Sequence, residues 1–169
     1  LGLSPAHLIL PPYGRTAMHN RTSQAEKMFR QKFERFGKLV GEMGDQDAWE
    51  KMLEGYPERQ RKSMGTLIEN ASLAEGFAKA IPLFKQMGMT MEVIDISTPH
   101  VDAVLEIQRT CPVLRLCQTY GFAKPCRIIC EMDVEATRRA FPGLQGEILS
   151  RQADGACVCV FKYERARQA

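Results

Sequence analysis

The stretch MTMEVIDISTPHVDAVLEIQ, residues 89–108, is where the chain stops reading as helix and starts reading as sheet. Its first part, MTMEVIDIS, is short, rich in β-branched residues and halted at Thr98-Pro99, which predicts a strand and its end. The second part, VDAVLEIQ, puts Val101, Ala103, Leu105 and Ile107 on one face and Asp102, Glu106 and Gln108 on the other. Val104 breaks the alternation, but the period of two predicts a second strand.

Before Met89 the periodicity is helical. Ser23 and Glu26 stand at capping-box spacing, and Ala25, Met28, Phe29, Lys32, Phe36, Leu39, Val40 and Met43 recur at helical intervals up to Gly44. Lys32 is the one polar intrusion in that stripe. A short helix burying Trp49, Met52 and Leu53 follows, then one starting near Pro57, and then one opened by the Ser72/Glu75 capping box and closed at Gly88. Beyond the strands, residues 111–120 and 125–140 read as helix. LQGEILSRQ and CVCVFKYE read as a β-hairpin turning near Asp154-Gly155.

The expected fold class is α+β, a helical N-terminal half packed on a small, mostly antiparallel sheet. Residues 1–20 are expected to form an arm. Residues 21–169 would form one domain, helical over 21–88 and sheet-forming and cysteine-rich over 89–163.

A net charge of +3, with basic residues interspersed among glutamates, argues against nucleic acid as a partner. No apolar run approaches the ~20 residues that span a bilayer. The opening LGLSPAHLILPPYGR lacks a basic start and is broken by Pro5, Pro11 and Pro12, so it does not read as a secretory signal. The expected location is the cytoplasm, and there the six cysteines would be reduced.

Four of those cysteines, Cys111, Cys117, Cys126 and Cys130, crowd into 21 residues, and Cys157 and Cys159 follow. On a helix, Cys126 and Cys130 share a face, whereas Cys111 and Cys117 stand about 240° apart. From one strand, Cys157 and Cys159 would point the same way. No zinc-finger spacing is present, and His7, His19 and His100 are distant in sequence. Core residues, a disulfide frame, a thiolate metal site and a reactive thiol all stay open. For a reactive thiol, Cys111 is best placed, because helix N-terminal amides favour a thiolate.

The run CPVLRLCQTYGFAKPCRIICEMD resembles the L-2-amino-thiazoline-4-carboxylic acid hydrolase family. The matching positions are Cys111, Pro112, Cys117, Tyr120, Gly121, Cys126, Cys130 and Asp133. The ending from Gly155 through Cys159, Phe161, Lys162 and Tyr163 is similar to the family's close, and LAEGFAKAIPLFKQMG to the helix before its first strand. The resemblance covers roughly residues 60 to 163. Val160 stands where the family usually has Asp, and Cys157 is an addition. The ending is also similar to that of vinyl-reductase-like domains, which are thought to bind small ligands.

The resemblance implies a hydrolase that opens the C–N bond of a small cyclic amidine carrying a carboxylate. Cys111 or Cys130 would attack the amidine carbon, and Asp133 would pair with the amidinium or shuttle its proton. Arg109, Arg115 or Arg127 would hold the carboxylate, with Tyr120 beside the substrate and His19 as a general base from the arm. Each role has a plainer rival: Asp133 as an acid of the first helical turn, Tyr120-Gly121 as a helix stop, the arginines as surface residues. The alternative is a non-catalytic module in which Cys117, Cys126, Cys130 and Cys159 line a small-ligand site or hold one thiolate-bound metal ion. The implied partner is a small-molecule substrate, with no nucleic acid and no membrane, and a homo-oligomer is compatible with either reading.

Overall fold

A computed structural model describes residues 15–69, 72–120 and 126–167, with the backbone alone for residues 15–23, 117 and 120. Four helices come first: α1 (Arg15–Met43), α2 (Asp45–Leu53), α3 (Tyr56–Ile68) and α4 (Leu73–Gln86). Two strands follow, β1 (Met91–Asp95) and β2 (Val101–Gln108), then helix α5 (Leu114–Tyr120). A π-helical turn, Arg127–Glu131, runs directly into α6 (Met132–Ala140), and β3 (Gln145–Ser150) and β4 (Cys159–Ala166) complete the sheet. The fold is α+β, and the four strands are antiparallel in the order β1-β2-β4-β3.

Local chemistry sets the helix ends. Ser72 caps α4 and accepts from the Glu75 amide at 3.3 Å, the predicted use of that spacing. Gly44 and Gly55, both at positive φ, turn the chain into α2 and α3, a conformation that costs glycine little. The Ser23/Glu26 spacing is not a cap. Helix α1 begins at Arg15 and runs through both residues, and Glu26 instead pairs with Arg30 and Arg115.

Helices α3 and α4 cross so closely that a Cβ on Gly76 would lie 2.2 Å from the Leu67 carbonyl oxygen. Helix α4 packs on β1 and β2, and α6 packs on α3 and β3. One apolar cluster gathers Phe29, Phe33 and Phe36 of α1 with Leu53, Ile128 and Met132. A second joins Ile68, Leu73 and Phe77 to Val104, Phe161 and Tyr163 of the sheet. Cys130 packs against both.

Strand β2 forms as predicted, and its polar face is the one turned toward the helices. Asp102, Glu106 and Gln108 are buried, while Val101, Leu105 and Ile107 are only partly covered on the opposite face. Asp102 explains part of this. It is 5% exposed, accepts from the Leu73 amide at 3.1 Å and from Arg165 Nε and Nη2, each at 2.9 Å. Arg165 in turn donates to the Ile68 carbonyl at 2.6 Å, so one ion pair ties the end of α3 and the start of α4 to the sheet.

The β3–β4 connection is longer than a tight hairpin. It contains a 3-10 turn at Gln152–Asp154 and Gly155 at φ 93°. Cys157 therefore lies exposed in the loop, and only Cys159 enters the strand, buried. The two do not share a strand face. Among the described residues no helix is long and apolar enough to cross a membrane.

Candidate functional site

The helices α1, α3, α4 and α6 close over the inner face of the sheet but do not fill it. A cavity of about 700 Å³ remains, with six methionines in its lining: Met28, Met52, Met64, Met87, Met89 and Met91. Phe29, Phe77, Phe84 and Phe161 add aromatic surface. Into this apolar space project Lys32 and Arg35 from α1, Tyr56, Arg59 and Gln60 from α3, Glu106 and Gln108 from β2, and Cys130, Asp133 and Thr137 from the segment around α6.

The polar groups form a connected set. Tyr56 Oη donates to Asp133 Oδ1 at 2.9 Å, and Gln60 Nε2 donates to the same oxygen at 3.3 Å and to Thr137 Oγ1 at 2.9 Å. The Lys32 ammonium lies 4.7 Å from the Tyr56 ring centre and the Arg59 guanidinium 5.1 Å from it. Glu106 differs from its neighbours. It is 4% exposed, and its Oε1 has no hydrogen-bond partner among the described residues. A bare carboxyl oxygen facing a cavity costs free energy unless a ligand or water meets it.

Burial dominates the proton affinities. It pushes the Glu106 carboxyl up to about 8, aided by the Asp133 charge. Asp133 is also raised by burial, against the donors Tyr56 and Gln60 and the Lys32 charge, which favour its anion. Lys32 is lowered to about 8 by burial, partly offset by Asp133 and Cys130, and burial raises the Tyr56 phenol. Two carboxyls in one cavity are thus held in different environments, Asp133 hydrogen-bonded and Glu106 bare, an arrangement that separates a base from an acid.

Cys111, Cys126, Cys130 and Cys159 lie within electrostatic reach of one another. The Cys130 thiol hydrogen-bonds to Cys126, which holds Cys130 well above the usual thiol range and draws Cys126 below it, with help from Arg151. Burial raises Cys111 and Cys159, and the Gln152 amide donates to Cys159 Sγ at 3.3 Å. Of these four, only Cys130 lines the cavity. The π-helical turn, marked by the Glu131 amide bonding to the Cys126 carbonyl at 3.0 Å, aims Cys130 and Asp133 to the same side. Among the described residues no group of three or more His, Cys, Asp or Glu side chains is arranged to hold a metal ion.

Of the residues singled out from sequence, Cys130 and Asp133 meet in the cavity and the three arginines lie elsewhere. Arg109 pairs with Glu92 at 2.6 Å on the outer face of the sheet, and Arg115 with Glu26 at 3.1 Å on the surface. Arg127 pairs with Asp45 at 2.8 Å and covers the Trp49 ring. The side chains of His19, Cys117 and Tyr120 lie outside the described residues, although the backbone of all three is helical. Val160 pairs with Ile107 on the face of the sheet turned away from the helices, so its departure from the family pattern removes no group from the cavity.

The sequence reading missed Lys32, Tyr56, Glu106 and Gln108. Two signals were present: a lysine interrupting the apolar stripe of α1, and a strand whose alternate residues are Asp, Val, Glu and Gln. Either one marks a polar group aimed at a core.

Among solved structures, the chain is similar to the phenol-responsive sensory domain of the transcription activator PoxR with phenol. The TM-score is 0.51 and the identity 12%, covering 92% of each chain. It is also similar to a trafficking protein particle complex subunit 3 from Naegleria fowleri covalently bound to palmitic acid, with TM-score 0.48 and 14% identity over 89% of this chain and 96% of that one. At these identities the likeness to the sensory domain is one of fold. No curated protein matches the sequence. The family model for L-2-amino-thiazoline-4-carboxylic acid hydrolase matches residues 13–163, extending the resemblance read from the cysteine run through α1, α2 and α3. The chain belongs to the L-2-amino-thiazoline-4-carboxylic acid hydrolase family.

Proposed function

We propose that this protein hydrolyses a ring C–N bond in a small cyclic amidine such as 2-amino-thiazoline-4-carboxylate, and that Asp133 and Glu106 are its base and acid. The observation that carries this reading is the bare, buried Glu106 Oε1 in the same cavity as Asp133. An amidine is planar and rich in N–H donors, so it meets that oxygen. Its carboxylate is met by Lys32, with Arg35 and Arg59 at the exposed rim.

Asp133 acts in its ionised form, which Tyr56, Gln60 and the Lys32 charge favour against the upward push of burial, and takes a proton from water as the water oxygen bonds to the amidine carbon. Glu106, protonated at neutral pH, gives its proton to the ring nitrogen as the C–N bond breaks. The hydroxyl left on the carbon loses its proton and becomes a carbonyl. Over the cycle both water protons reach the departing nitrogen, which leaves as an amine, and both carboxyls return to their starting forms. Cys130 is held as a thiol by its bond to Cys126 and by burial, which favours water over sulfur as the nucleophile.

The test is incubation of the purified chain with 2-amino-thiazoline-4-carboxylate and detection of the carbamoyl-cysteine product by mass spectrometry. Asp133→Asn is expected to lower kcat by about 10² to 10⁴, and Cys130→Ser to retain most of it. Loss of turnover in Cys130→Ser, with a substrate-derived adduct trapped on Cys130 of the parent chain, would establish the sulfur nucleophile instead. Ligand binding without turnover would favour the non-catalytic module, a reading that draws support from the predominantly apolar cavity wall.

A further inference from the structure

The cavity is too large for the substrate of the family's name. A dry cavity of about 150 Å³ accommodates benzene, with six heavy atoms. By that measure an aminothiazoline carboxylate, with nine, needs about 200–250 Å³. The space here is about 700 Å³, so more than half would stay empty or fill with water against apolar walls. The walls of that surplus are specific in kind. They include Met64 and Ile68 of α3, Phe84 of α4, Met87 and Met89 in the connection after it, and Met91 at the start of β1. Methionine thioethers are flexible and polarisable, and they mould to aliphatic and aryl groups alike. At the rim, Met28 is 50% exposed and Leu83 49% exposed, an apolar lip on a cavity whose polar groups cluster around Asp133 and Tyr56.

We infer that the ligand of this cavity carries an extended apolar substituent, aliphatic or aryl, of up to about eighteen heavy atoms beside its amidine head. The head meets Glu106 and Asp133, and the substituent lies along the methionine wall between α3, α4 and β1. This rests on the amidine reading of the polar groups and adds the part of the substrate that reading leaves unspecified. The part of the cavity beyond the head then has a use: burial of the substituent supplies binding energy remote from the reacting bond.

The experiment is calorimetric titration of the full chain with acetamidinium, hexanamidinium and decanamidinium. Benzamidinium and 4-butylbenzamidinium form the aryl arm, and n-decanol serves as a headless control, all below their aggregation concentrations. Affinity is expected to rise by about threefold to fourfold per methylene, on the order of several thousandfold or more over the eight methylenes between acetamidinium and decanamidinium. If benzamidinium binds more tightly than hexanamidinium, a chain of similar size, the substituent is aromatic. Met28→Ser and Leu83→Ser, both half-exposed and tolerable to the fold, are expected to weaken decanamidinium severalfold and leave acetamidinium unchanged.

Acetamidinium and decanamidinium binding equally would overturn the inference while the amidine head stands. Decanol binding as tightly as decanamidinium, with the same dependence on length, would support the apolar site and sink the amidine reading. Failure of every probe to bind would overturn the inference outright.

Discussion

The Tyr56 hydroxyl donates to Asp133 at 2.9 Å, and this bond from α3 to α6 stabilises the anion of a carboxyl that burial would otherwise neutralise. Tyr56→Phe leaves the ring under Lys32 and removes only the donor. A hydrogen bond to a charged partner contributes about 1.5–3 kcal/mol, so the variant should lose that much stability at pH 8. In acid, where Asp133 is protonated, the loss should shrink. Urea unfolding at the two pH values checks this, and an equal loss at both would mean that the bond does not depend on the Asp133 charge.

Glu106 makes stability depend on pH with the opposite sense to an ordinary paired carboxylate. Its folded value is raised to about 8 from 4.5. The folded chain therefore holds a proton that the unfolded chain has released, and stability falls as pH rises between those values. It is fully present below about 4.5 and lost through about 8. Glu106→Gln should flatten this slope and leave the protein more stable at pH 8, by an amount on the order of a few kcal/mol. Urea midpoints from pH 5 to 8 for both chains decide it, and parallel curves would contradict the assignment.

Asp102 and Arg165 predict a large structural effect far from the chemistry. Removing the buried carboxylate of this ion pair takes away one of several partners of Arg165, at a cost of up to about 3–5 kcal/mol. Asp102→Ala also strips the Leu73 amide of its acceptor. We expect a loss of that size in chemical unfolding, larger than for Arg109→Ala, whose exposed pair with Glu92 contributes little. Equal effects would mean that burial of Asp102 is not what matters.

Much of the fold was legible because period and punctuation agree along most of the chain. The helices that close at Gly44, open at Pro57 and start at Ser72 each carry a local signal. The β2 alternation gave a strand although Val104, an apolar residue on the polar face, broke it. What the pattern could not supply was direction. Apolar residues usually face the core, yet here Asp102, Glu106 and Gln108 do, because Arg165, the Leu73 amide and the cavity lie on that side. The partner of Asp102 is 63 positions away in sequence, and no local rule reaches that far. The site was half legible for the same reason. Cys130 and Asp133 sit in one motif, whereas Lys32, Tyr56 and Glu106 come from three separate elements and meet only in the folded chain. Of the arginines near the motif, Arg109 and Arg115 face outward and pair with surface glutamates, and Arg127 lies against Trp49 and pairs with Asp45.

Two glycines separate packing from helix propensity. At Gly76 a methyl group would strike the Leu67 carbonyl at 2.2 Å, whereas at Gly65 the nearest atom is the flexible Glu69 carboxylate at 3.7 Å. Gly76→Ala should lose about 1–3 kcal/mol or more and loosen the α3–α4 wall of the cavity. Gly65→Ala should gain up to about 1 kcal/mol from helix propensity. Thermal unfolding of both checks the pair, and similar shifts for the two would show that the close approach of α3 and α4 is absent.

The central claim is that Glu106 supplies the proton to the leaving nitrogen, and the pH dependence of kcat/KM on 2-amino-thiazoline-4-carboxylate tests it most directly. Because Glu106 acts in its protonated form, activity of the parent chain should fall as pH rises through about 8. Glu106→Gln should be at least a hundredfold slower and keep only the part of that limb that comes from Lys32 losing its charge near the same pH. A Glu106→Gln chain that keeps both its rate and the limb would show that another group is the acid, and the account would be wrong.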